Sequence, residues 1–303
     1  MLNKTLDITV IILTFNEELH IRRCLDNVNQ FAAKVCVVDC FSTDKTVQIA
    51  QEMGSEVVEH KWPGNQAEQF NWALDNLPIR TEWILRLDAD EYLSQELIME
   101  LYEKIPSIDK DVTAVVLPLG RAFMGRILKH GIVNGVSMIR LFRKGKARYE
   151  NRMMDEHLQI TEGYTYTCAN KFIDDNRMPL SYFITKHNNY SAREAALLID
   201  AEYCLTSIKD ENSEYAEEVQ KKREQKAKYA RMPLFWRAFG YFVYRYIIKL
   251  GFLDGKEGFL WDFLQGWWYR TLVDAKIYEI KKACGNDKEK IRSYLKEKYN
   301  ITL

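Results

Sequence analysis

Short apolar segments alternate with helical patterns along the first third of the chain. Four apolar segments are too short for helices and favour strands, namely residues 8–15, 35–38, 56–59 and 83–88. The first shows no clean alternation of polar and apolar residues, as expected for a strand that is covered on both faces. The intervening helical patterns span residues 16–28, 45–54 and 66–77. This pattern predicts an α/β fold with a mostly parallel, Rossmann-like sheet that is flanked by helices.

Acidic residues follow directly on the fourth apolar segment, where Asp88, Asp90 and Glu91 lie within four positions. On a strand, Asp88 and Asp90 point the same way because side chains alternate with period two. Two carboxylates about 4 Å apart repel by roughly 4 kcal/mol at an effective dielectric constant near 20, so a cation would stabilise them. Oxygen ligands without nearby His or Cys favour Mn²⁺ or Mg²⁺ over zinc. The alternative interpretation is a solvated acidic loop.

Polar residues also collect where the first two strands end. They are Thr14, Asn16 and Glu17 after the first strand, and Asp39, Ser42 and Asp44 after the second. Because the carboxyl ends of parallel strands meet at one edge of a sheet, these residues and Asp88 are expected to form one site. Taken singly, Ser42 and Asp44 are equally well explained as helix caps. Neither a GxGxxG nor a GxxxxGK[ST] motif is present, so a phosphate would be held by metal and side chains.

The middle of the chain carries two further strand patterns, at residues 112–119 and 136–143, and then two candidates for chemistry. Asp155 and Glu156 precede His157, and either carboxylate is a candidate general base unless the segment is a surface helix turn. His187, placed before a helix predicted over residues 192–205, is a candidate ligand of a phosphate or the metal. A packed, structural histidine is the equal alternative.

The last third of the chain changes character and is predicted to be helical, basic and aromatic. We therefore expect one domain over residues 1–190 and a helical region over residues 191–303. Its candidate membrane-binding residues are Lys221, Lys222, Arg223, Trp236, Phe239, Trp267 and Trp268. Basic residues beside Trp- and Phe-rich helices are typical of an anionic membrane interface. The competing interpretation is a helical pair packed on the catalytic domain or on a second subunit.

Bulk properties restrict the class of protein further. The 303 residues carry a formal net charge of zero, which gives no reason to expect nucleic acid as a partner. The six cysteines form no CxxC pair, and no segment is apolar enough to span a bilayer. We expect a cytoplasmic protein that is peripheral at the inner face of the cell membrane.

The motifs Thr14-Phe15-Asn16-Glu17, Asp39 with Ser42 and Asp44, and Asp88-Ala89-Asp90-Glu91 together resemble glycosyltransferase family two, inverting enzymes of the GT-A fold. The tail, with residues 251–259 and 268–270, resembles a bacterial subgroup that builds lipopolysaccharide core, O-antigen and capsule. The resemblance implies that Thr14, Asn16, Glu17, Asp39, Asp44 and Asp88 bind the nucleotide of a sugar donor, with uridine diphosphate the expected nucleotide. It also implies that Asp90, with Asp88 close by, binds the divalent metal.

The resemblance also implies an acidic general base, which in the family usually belongs to a Glu-Asp pair. In this chain Asp155-Glu156 has the reverse order. The choice of base between the two therefore stays open, with Glu156 preferred. The expected function is transfer of a hexose from a nucleotide-diphosphate sugar to a lipid-linked glycan acceptor. Two alternatives remain: a non-catalytic, membrane-associated scaffold on a degenerate transferase fold, and a nucleotidyltransferase. The first is opposed by the intact Asp88-Ala89-Asp90 motif, and the second by the lack of a glycine- and lysine-rich triphosphate loop.

Overall fold

The computed structural model of the chain describes residues 5–133, 135–150, 158–206 and 228–302. The chain divides into two compact units. The sheet unit comprises Met1–Lys129 with Val133–Arg177, and the helical unit comprises His130–Ile132 with Met178–Leu303. Position 190, where the sequence pattern predicts a domain boundary, lies inside a helix of the helical unit.

The sheet unit contains twelve strands and four α-helices in its described part. The strands are β1 (Leu6–Thr14), β2 (Ala32–Asp39), β3 (Glu56–Glu59), β4 (Trp83–Asp88), β5 (Glu91–Leu93), β6 (Val112–Phe123), β7 (Arg126–Leu128), β8 (Ser137–Arg143), β9 (Ala147–Tyr149), β10 (Leu158–Ile160), β11 (Tyr164–Thr167) and β12 (Phe172–Asp174). The helices are α1 (Ile21–Val28), α2 (Thr46–Glu52), α3 (Gln66–Asn76) and α4 (Gln95–Lys104).

One mixed sheet organises this unit, with the strand order β3-β2-β1-β4-β8-β6-β12-β5. Strands β1 to β4 pair in parallel, as predicted, whereas β8 runs antiparallel between β4 and β6. Strand β1 is buried on both faces: Val10 and Ile12 join a core with α1 and α4, and Ile11 joins a second core with α3. The predicted α/β fold, a sheet flanked by helices on both sides, is thereby confirmed.

The first four strands lie within three residues of their predicted positions, because each is a short apolar segment bounded by polar residues. Two helices of this unit begin at side-chain caps. Asn65 accepts a hydrogen bond from the Glu68 amide at the start of α3, and Ser94 accepts one from the Leu97 amide at the start of α4. These caps satisfy amide groups that would otherwise lack partners in the first helical turn.

The helical unit has its own core. Its helices in the described residues are α5 (Leu180–Tyr203), α6 (Trp236–Val243), α7 (Gly255–Trp261), α8 (Tyr269–Cys284) and α9 (Lys288–Tyr299). Helices α6 and α7 continue as π-helical turns over Tyr244–Ile248 and Asp262–Trp268. Ile199, Val273, Ile280 and Leu295 are among the core residues that α5, α8 and α9 share.

The prediction that a helix begins at residue 192 is wrong, since α5 begins at Leu180 directly after Pro179. The polar run from Thr185 to Ser191 resembles a loop in sequence, yet it forms the middle of this helix. Local polarity misleads here because packing against α8 stabilises α5 whatever its intrinsic preference. Among the described residues, no helix is long and apolar enough to cross a membrane.

Candidate active site at the strand ends of the sheet unit

The carboxyl ends of β1, β2 and β4 lie side by side, so the polar residues that follow them are brought together. In the parallel pairing, Thr14 at the end of β1 is aligned with Asp39 at the end of β2. On the other side, Leu13 is aligned with Asp88 at the end of β4. This edge of the sheet is where open α/β folds place their ligands.

Asp39 is the buried anchor of this edge, with no exposed surface. One of its carboxylate oxygens accepts hydrogen bonds from the Thr14 hydroxyl at 2.7 Å and from the Ser42 hydroxyl at 2.6 Å. The other accepts one from the Ser42 amide at 2.6 Å. Three donors on one buried carboxylate fix its orientation, since each is a charge-assisted hydrogen bond.

The loops after β1 and β2 are interlocked through Asn16. Its backbone has a φ of 57°, a left-handed conformation that Asn tolerates better than most residues. Its amide donates to the Ser42 hydroxyl at 2.7 Å, and its side-chain oxygen accepts from the Thr43 amide at 2.8 Å. Next to it, the Glu17 amide donates to the Thr46 hydroxyl at 2.7 Å. The two loops therefore form one rigid rim of the site.

Asp44 takes part in the same rim as a cap. It accepts hydrogen bonds from the Thr46 amide at 2.9 Å and from the Glu18 amide at 3.1 Å. Burial acts to raise the pKa of Asp44, but these hydrogen bonds outweigh it, so this pKa lies below its usual value. The cap interpretation of Asp44 thus describes what the side chain does in the structure, and a nucleotide contact stays a prediction.

Two arginines approach Asp88 from neighbouring strands. Arg86 on β4 lies 3.6 Å from one carboxylate oxygen, and Arg140 on β8 lies 3.7 Å from the other. Both arginine side chains are almost fully buried. The pairing of β8 with β6 shifts register at Arg140, between Ile139 and Leu141. A bulge of this kind re-aims a side chain, and here it turns Arg140 toward the acidic residues.

Glu91 is held by protein groups on both carboxylate oxygens. One oxygen lies 2.5 Å from the Arg140 guanidinium, and the other accepts a hydrogen bond from the Asp88 amide at 3.0 Å. Burial raises the pKa of Glu91 to about 8 despite the opposing charge of Arg140, and Asp88 adds to the rise. Because both oxygens are engaged, we infer that Glu91 shapes the turn between Asp88 and Asp90 instead of facing a ligand.

Asp90 is oriented by the segment after β12. The Asn176 side-chain amide donates to a carboxylate oxygen of Asp90 at 2.8 Å. The Asp90 carbonyl accepts from the Asp175 amide at 3.0 Å and from the Arg23 guanidinium at 3.0 Å. Unlike Asp88, which has two guanidinium groups close by, Asp90 accepts from a neutral amide, which leaves its negative charge in place.

His20 ties the same segment to the first loop of the site. Its Nδ1 lies 2.7 Å from a carboxylate oxygen of Glu17, and its Nε2 accepts a hydrogen bond from the Arg177 amide at 2.9 Å. The proton of a neutral His20 is therefore assigned to Nδ1. Asp175 in turn contacts the guanidinium groups of Arg23 and Arg177. Residues 175–177 thus form one wall of the site.

The carboxylates at this edge fit a magnesium or manganese ion whose remaining coordination positions are filled by phosphate oxygens. Among the described residues, no three His, Cys, Asp or Glu side chains form a cluster that would hold a metal alone. In sites for phosphate substrates, however, Mg²⁺ typically binds one or two carboxylates and fills its octahedron with water and phosphate oxygens. Asp90, with Asp88 close by, supplies such a pair of half-buried carboxylates.

Comparison with known proteins identifies the family. The model of glycosyl transferase family 2 matches residues 9–158, which contain the three strand ends and both acidic residues of the turn. The chain belongs to glycosyl transferase family 2.

Similar proteins match different portions of this chain. An uncharacterized glycosyltransferase of Rickettsia bellii is 27% identical over 289 residues, covering 92% of this chain and 89% of the relative. One from Rickettsia conorii is 38% identical, but over only 36% of this chain and 39% of its own length. The lipopolysaccharide core biosynthesis glycosyltransferase LpsC of Rhizobium meliloti is 23% identical over 63% of this chain and 71% of its own.

The other predicted residues of this family 2 enzyme either fall outside the described residues or belong to the helical unit. Asp155, Glu156 and His157 fall outside the described residues, as do Lys221, Lys222 and Arg223. His187 belongs to α5 in the helical unit, where Nδ1 lies 2.8 Å from the Phe183 carbonyl oxygen and Nε2 lies 2.6 Å from the Gln265 amide nitrogen. These contacts describe a packed histidine, and its role as a metal ligand stays a prediction.

The four predicted membrane residues that the structure describes belong to the helical unit and differ in exposure. Trp236 and Phe239 are exposed, and Trp267 is half-buried with its ring against Phe239. Trp268 packs against the core of the helical unit, which removes it from the exposed aromatic set.

The sequence pattern does not predict the basic residues of this family 2 site or its wall, residues 175–177. Arg86 and Arg140 carried a signal, since each interrupts an apolar strand, in Ile84-Leu85-Arg86-Leu87 and in Met138-Ile139-Arg140-Leu141. A buried arginine within a strand requires an anionic partner. For residues 175–177 no local signal exists, because their link to Asp90 depends on β12 reaching this edge of the sheet.

Replacing Asn176 with alanine is expected to weaken Mn²⁺ binding, because Asp90 would lose the hydrogen bond that orients it. Loss of such a supporting contact typically costs about 10- to 100-fold in metal affinity. Titration of the protein with Mn²⁺, followed by the electron paramagnetic resonance signal of the unbound ion, measures this directly. The matched control is Asn76→Ala, since Asn76 is exposed and bonds within its own helix. Unchanged Mn²⁺ affinity in Asn176→Ala would show that Asp90 needs no such support.

Proposed function

We propose that this family 2 glycosyltransferase is a metal-dependent, inverting hexosyltransferase that uses a nucleotide-diphosphate sugar, with UDP as the expected nucleotide. The observation that carries the proposal is the convergence of Thr14, Asp39 and Asp88 at one sheet edge, next to Asp90. Asp88 and Asp90, two half-buried carboxylates within the family 2 domain, would bind the cation that neutralises the diphosphate of such a donor.

The chain's own residues divide into a nucleotide part and a diphosphate part. In this proposal, the rigid rim formed by Asn16, Glu17 and the loop after β2 holds the nucleoside. Asp39, buried and held by its three donors, keeps Thr14 and Ser42 in place at this rim. Asp88 and Asp90 then lie where the diphosphate and its cation would bind. A bound Mn²⁺ or Mg²⁺ would stabilise the negative charge of the departing diphosphate.

Inversion by a single displacement needs one base. In this step the base removes the proton of an acceptor hydroxyl, whose oxygen forms a bond to the anomeric carbon of the sugar. The bond from that carbon to the diphosphate oxygen breaks, and the nucleotide leaves with the electron pair. Glu156, or Asp155 beside it, is proposed as the base, and both lie outside the described residues.

The acceptor is proposed to be a lipid-linked glycan of bacterial surface polysaccharide or lipopolysaccharide, reached at the cytoplasmic membrane surface. Two observations support this choice. One relative is named for lipopolysaccharide core biosynthesis. The other is the helical unit, which exposes large aromatic side chains such as Trp236 and Phe239. A lipid-linked acceptor would be presented at a membrane surface, and exposed aromatic side chains suit such a surface.

A thermal-shift screen against UDP, GDP, ADP and CDP, each with and without Mn²⁺, tests the donor proposal. A ligand at about a hundred times its dissociation constant stabilises the folded state by roughly 2.7 kcal/mol, a shift that is easily measured. We expect stabilisation by UDP that depends on Mn²⁺ and is reversed by a chelator. Stabilisation by another diphosphate would replace UDP as the donor nucleotide. If no nucleotide stabilises the protein, the donor proposal fails. Nucleotide binding without turnover would favour a non-catalytic scaffold.

A further inference from the structure

The helical unit exposes apolar side chains over the stretch that forms α6, its π-helical turn and the turn before α7. Eleven large apolar side chains between residues 232 and 259 are exposed. The strongest cases are Trp236 at 74% exposure, Ile248 at 63% and Leu253 at 50%. We call these eleven residues the apolar surface, which comprises Met232, Phe235, Trp236, Phe239, Tyr244, Ile247, Ile248, Leu250, Phe252, Leu253 and Phe259. Single exposed apolar residues are normal in soluble proteins, but a concentration of them marks an interaction site.

Charged side chains of the same stretch are buried and paired, which reverses the usual distribution of polarity. Arg237 is 2% exposed and binds Asp274, which is 1% exposed, with Nε 2.8 Å from the carboxylate. Arg245 binds the buried Asp262 at 2.7 Å. Burying ion pairs while exposing aromatic rings costs free energy in water, so this arrangement suits a face that is removed from water.

Asp254 belongs to the same buried set. Its carboxylate oxygens lie 2.7 Å from the His130 amide nitrogen and 3.0 Å from the His130 Nδ1. The acidic groups that could repel an anionic partner are thus turned inward, toward partners of the helical unit.

The charges that do remain exposed are all basic. Within the described residues 228–262, the exposed charged side chains are Lys228, Arg231, Lys249 and Lys256, whereas Asp254 and Asp262 are buried and Glu257 is half-buried. Lysine and arginine around exposed Trp, Phe and Ile side chains form the pattern of a helix that lies in the interface of an anionic bilayer. A partner protein that covered this surface would have no specific need for an exclusively basic rim.

We propose that the apolar surface inserts into the headgroup region of an anionic phospholipid leaflet, with Lys228, Arg231, Lys249 and Lys256 contacting lipid phosphates. The proposal deepens the proposed function and rests on it for the lipid-linked acceptor that gives membrane binding its purpose. The aromatic contacts within the surface, such as the edge-to-face contact of Trp236 with Phe239 at 6.5 Å between ring centroids, keep its shape in water before insertion. The helices lie in the plane of the interface in this proposal.

Co-sedimentation of the full chain with vesicles tests the surface. Vesicles of phosphatidylcholine with phosphatidylglycerol are compared with vesicles of phosphatidylcholine alone. We expect binding to the anionic vesicles that weakens with added salt. Ile248→Ser is expected to weaken it about tenfold, as for losing one inserted large side chain. Lys249→Gln is expected to weaken it about fivefold.

The matched control is Ile127→Ser, since Ile127 is an isoleucine of the sheet unit with 47% exposure. Equal weakening by Ile127→Ser, or no binding of the unaltered chain to anionic vesicles, would overturn the proposal. A stable dimer that dissociates in Trp236→Ser, without vesicle binding, would assign the surface to a second copy instead. Stabilisation by UDP and Mn²⁺, measured on the same samples without vesicles, keeps the failure of this proposal distinct from failure of the donor proposal.

Discussion

Asp90→Ala is expected to lower the rate of glycosyl transfer about a thousandfold, because a bound cation contributes several kcal/mol to stabilising the leaving diphosphate. Asp90 is the carboxylate that Asn176 orients through a hydrogen bond at 2.8 Å. The variant should also bind Mn²⁺ much more weakly. Transfer is measured from release of the nucleotide diphosphate, and metal binding from the signal of unbound Mn²⁺.

The control for this variant is Asp26→Ala, which removes an exposed carboxylate on α1. Its transfer rate and Mn²⁺ affinity should both stay unchanged. The far-ultraviolet circular dichroism of Asp90→Ala should match that of the unaltered protein, since Asp90 is half-buried and lies in a turn. Full activity of Asp90→Ala would refute the metal assignment at this position.

Arg237→Ala is expected to destabilise the helical unit by about 3–5 kcal/mol, because it leaves a buried carboxylate without its cation. Asp274 is 1% exposed and accepts hydrogen bonds from Arg237 and from the Phe235 amide, the latter at 2.7 Å. In the variant, the Asp274 carboxylate would keep the hydrogen bond from the Phe235 amide but lose its neighbouring positive charge. Urea unfolding monitored by tryptophan fluorescence gives the change in free energy of unfolding.

Two comparison variants make this result interpretable. Arg148→Ala breaks an exposed ion pair, in which the side chains of Arg148 and Asp75 are 53% and 51% exposed. This variant should lose at most about 1 kcal/mol of unfolding free energy. The double variant Arg237→Leu with Asp274→Leu should lose less stability than Arg237→Ala, because no buried charge is left unpaired. If Arg237→Ala is as mild as Arg148→Ala, the ion pair is not buried in solution.

The strand ends were predictable from sequence because apolar runs and the residues that follow them are local properties. Once β1, β2 and β4 are recognised as parallel neighbours, Thr14, Asp39 and Asp88 must approach one another. The strand β8, which inserts antiparallel beside β4, was predictable as a strand but not in its direction. Sequence pattern gives the burial of a segment, whereas its direction depends on the connection that precedes it.

The rest of the site depends on tertiary structure. Arg140 reaches the acidic turn because of a register shift in β8, and no pattern in Met138-Ile139-Arg140-Leu141 indicates such a shift. Asn176 reaches Asp90 from a segment that is 86 positions away in the chain. The first contact follows from the pairing of β8 with β4 and β6, and the second from the pairing of β12 with β5 and β6. Sequence periodicity does not reveal such pairings.

The two guanidinium groups that converge on Asp88 have a consequence for how this position can evolve. Active-site carboxylates often cost stability, so that neutralising them makes an enzyme more stable and less active. Here the opposite is expected, because removing the charge of Asp88 would take an anionic neighbour from two buried guanidinium groups, of which Arg140 would keep Glu91. Under the proposed function, selection for catalysis and selection for a folded sheet therefore act in the same direction at this residue. A lineage that lost the activity would still be under pressure to keep the acid.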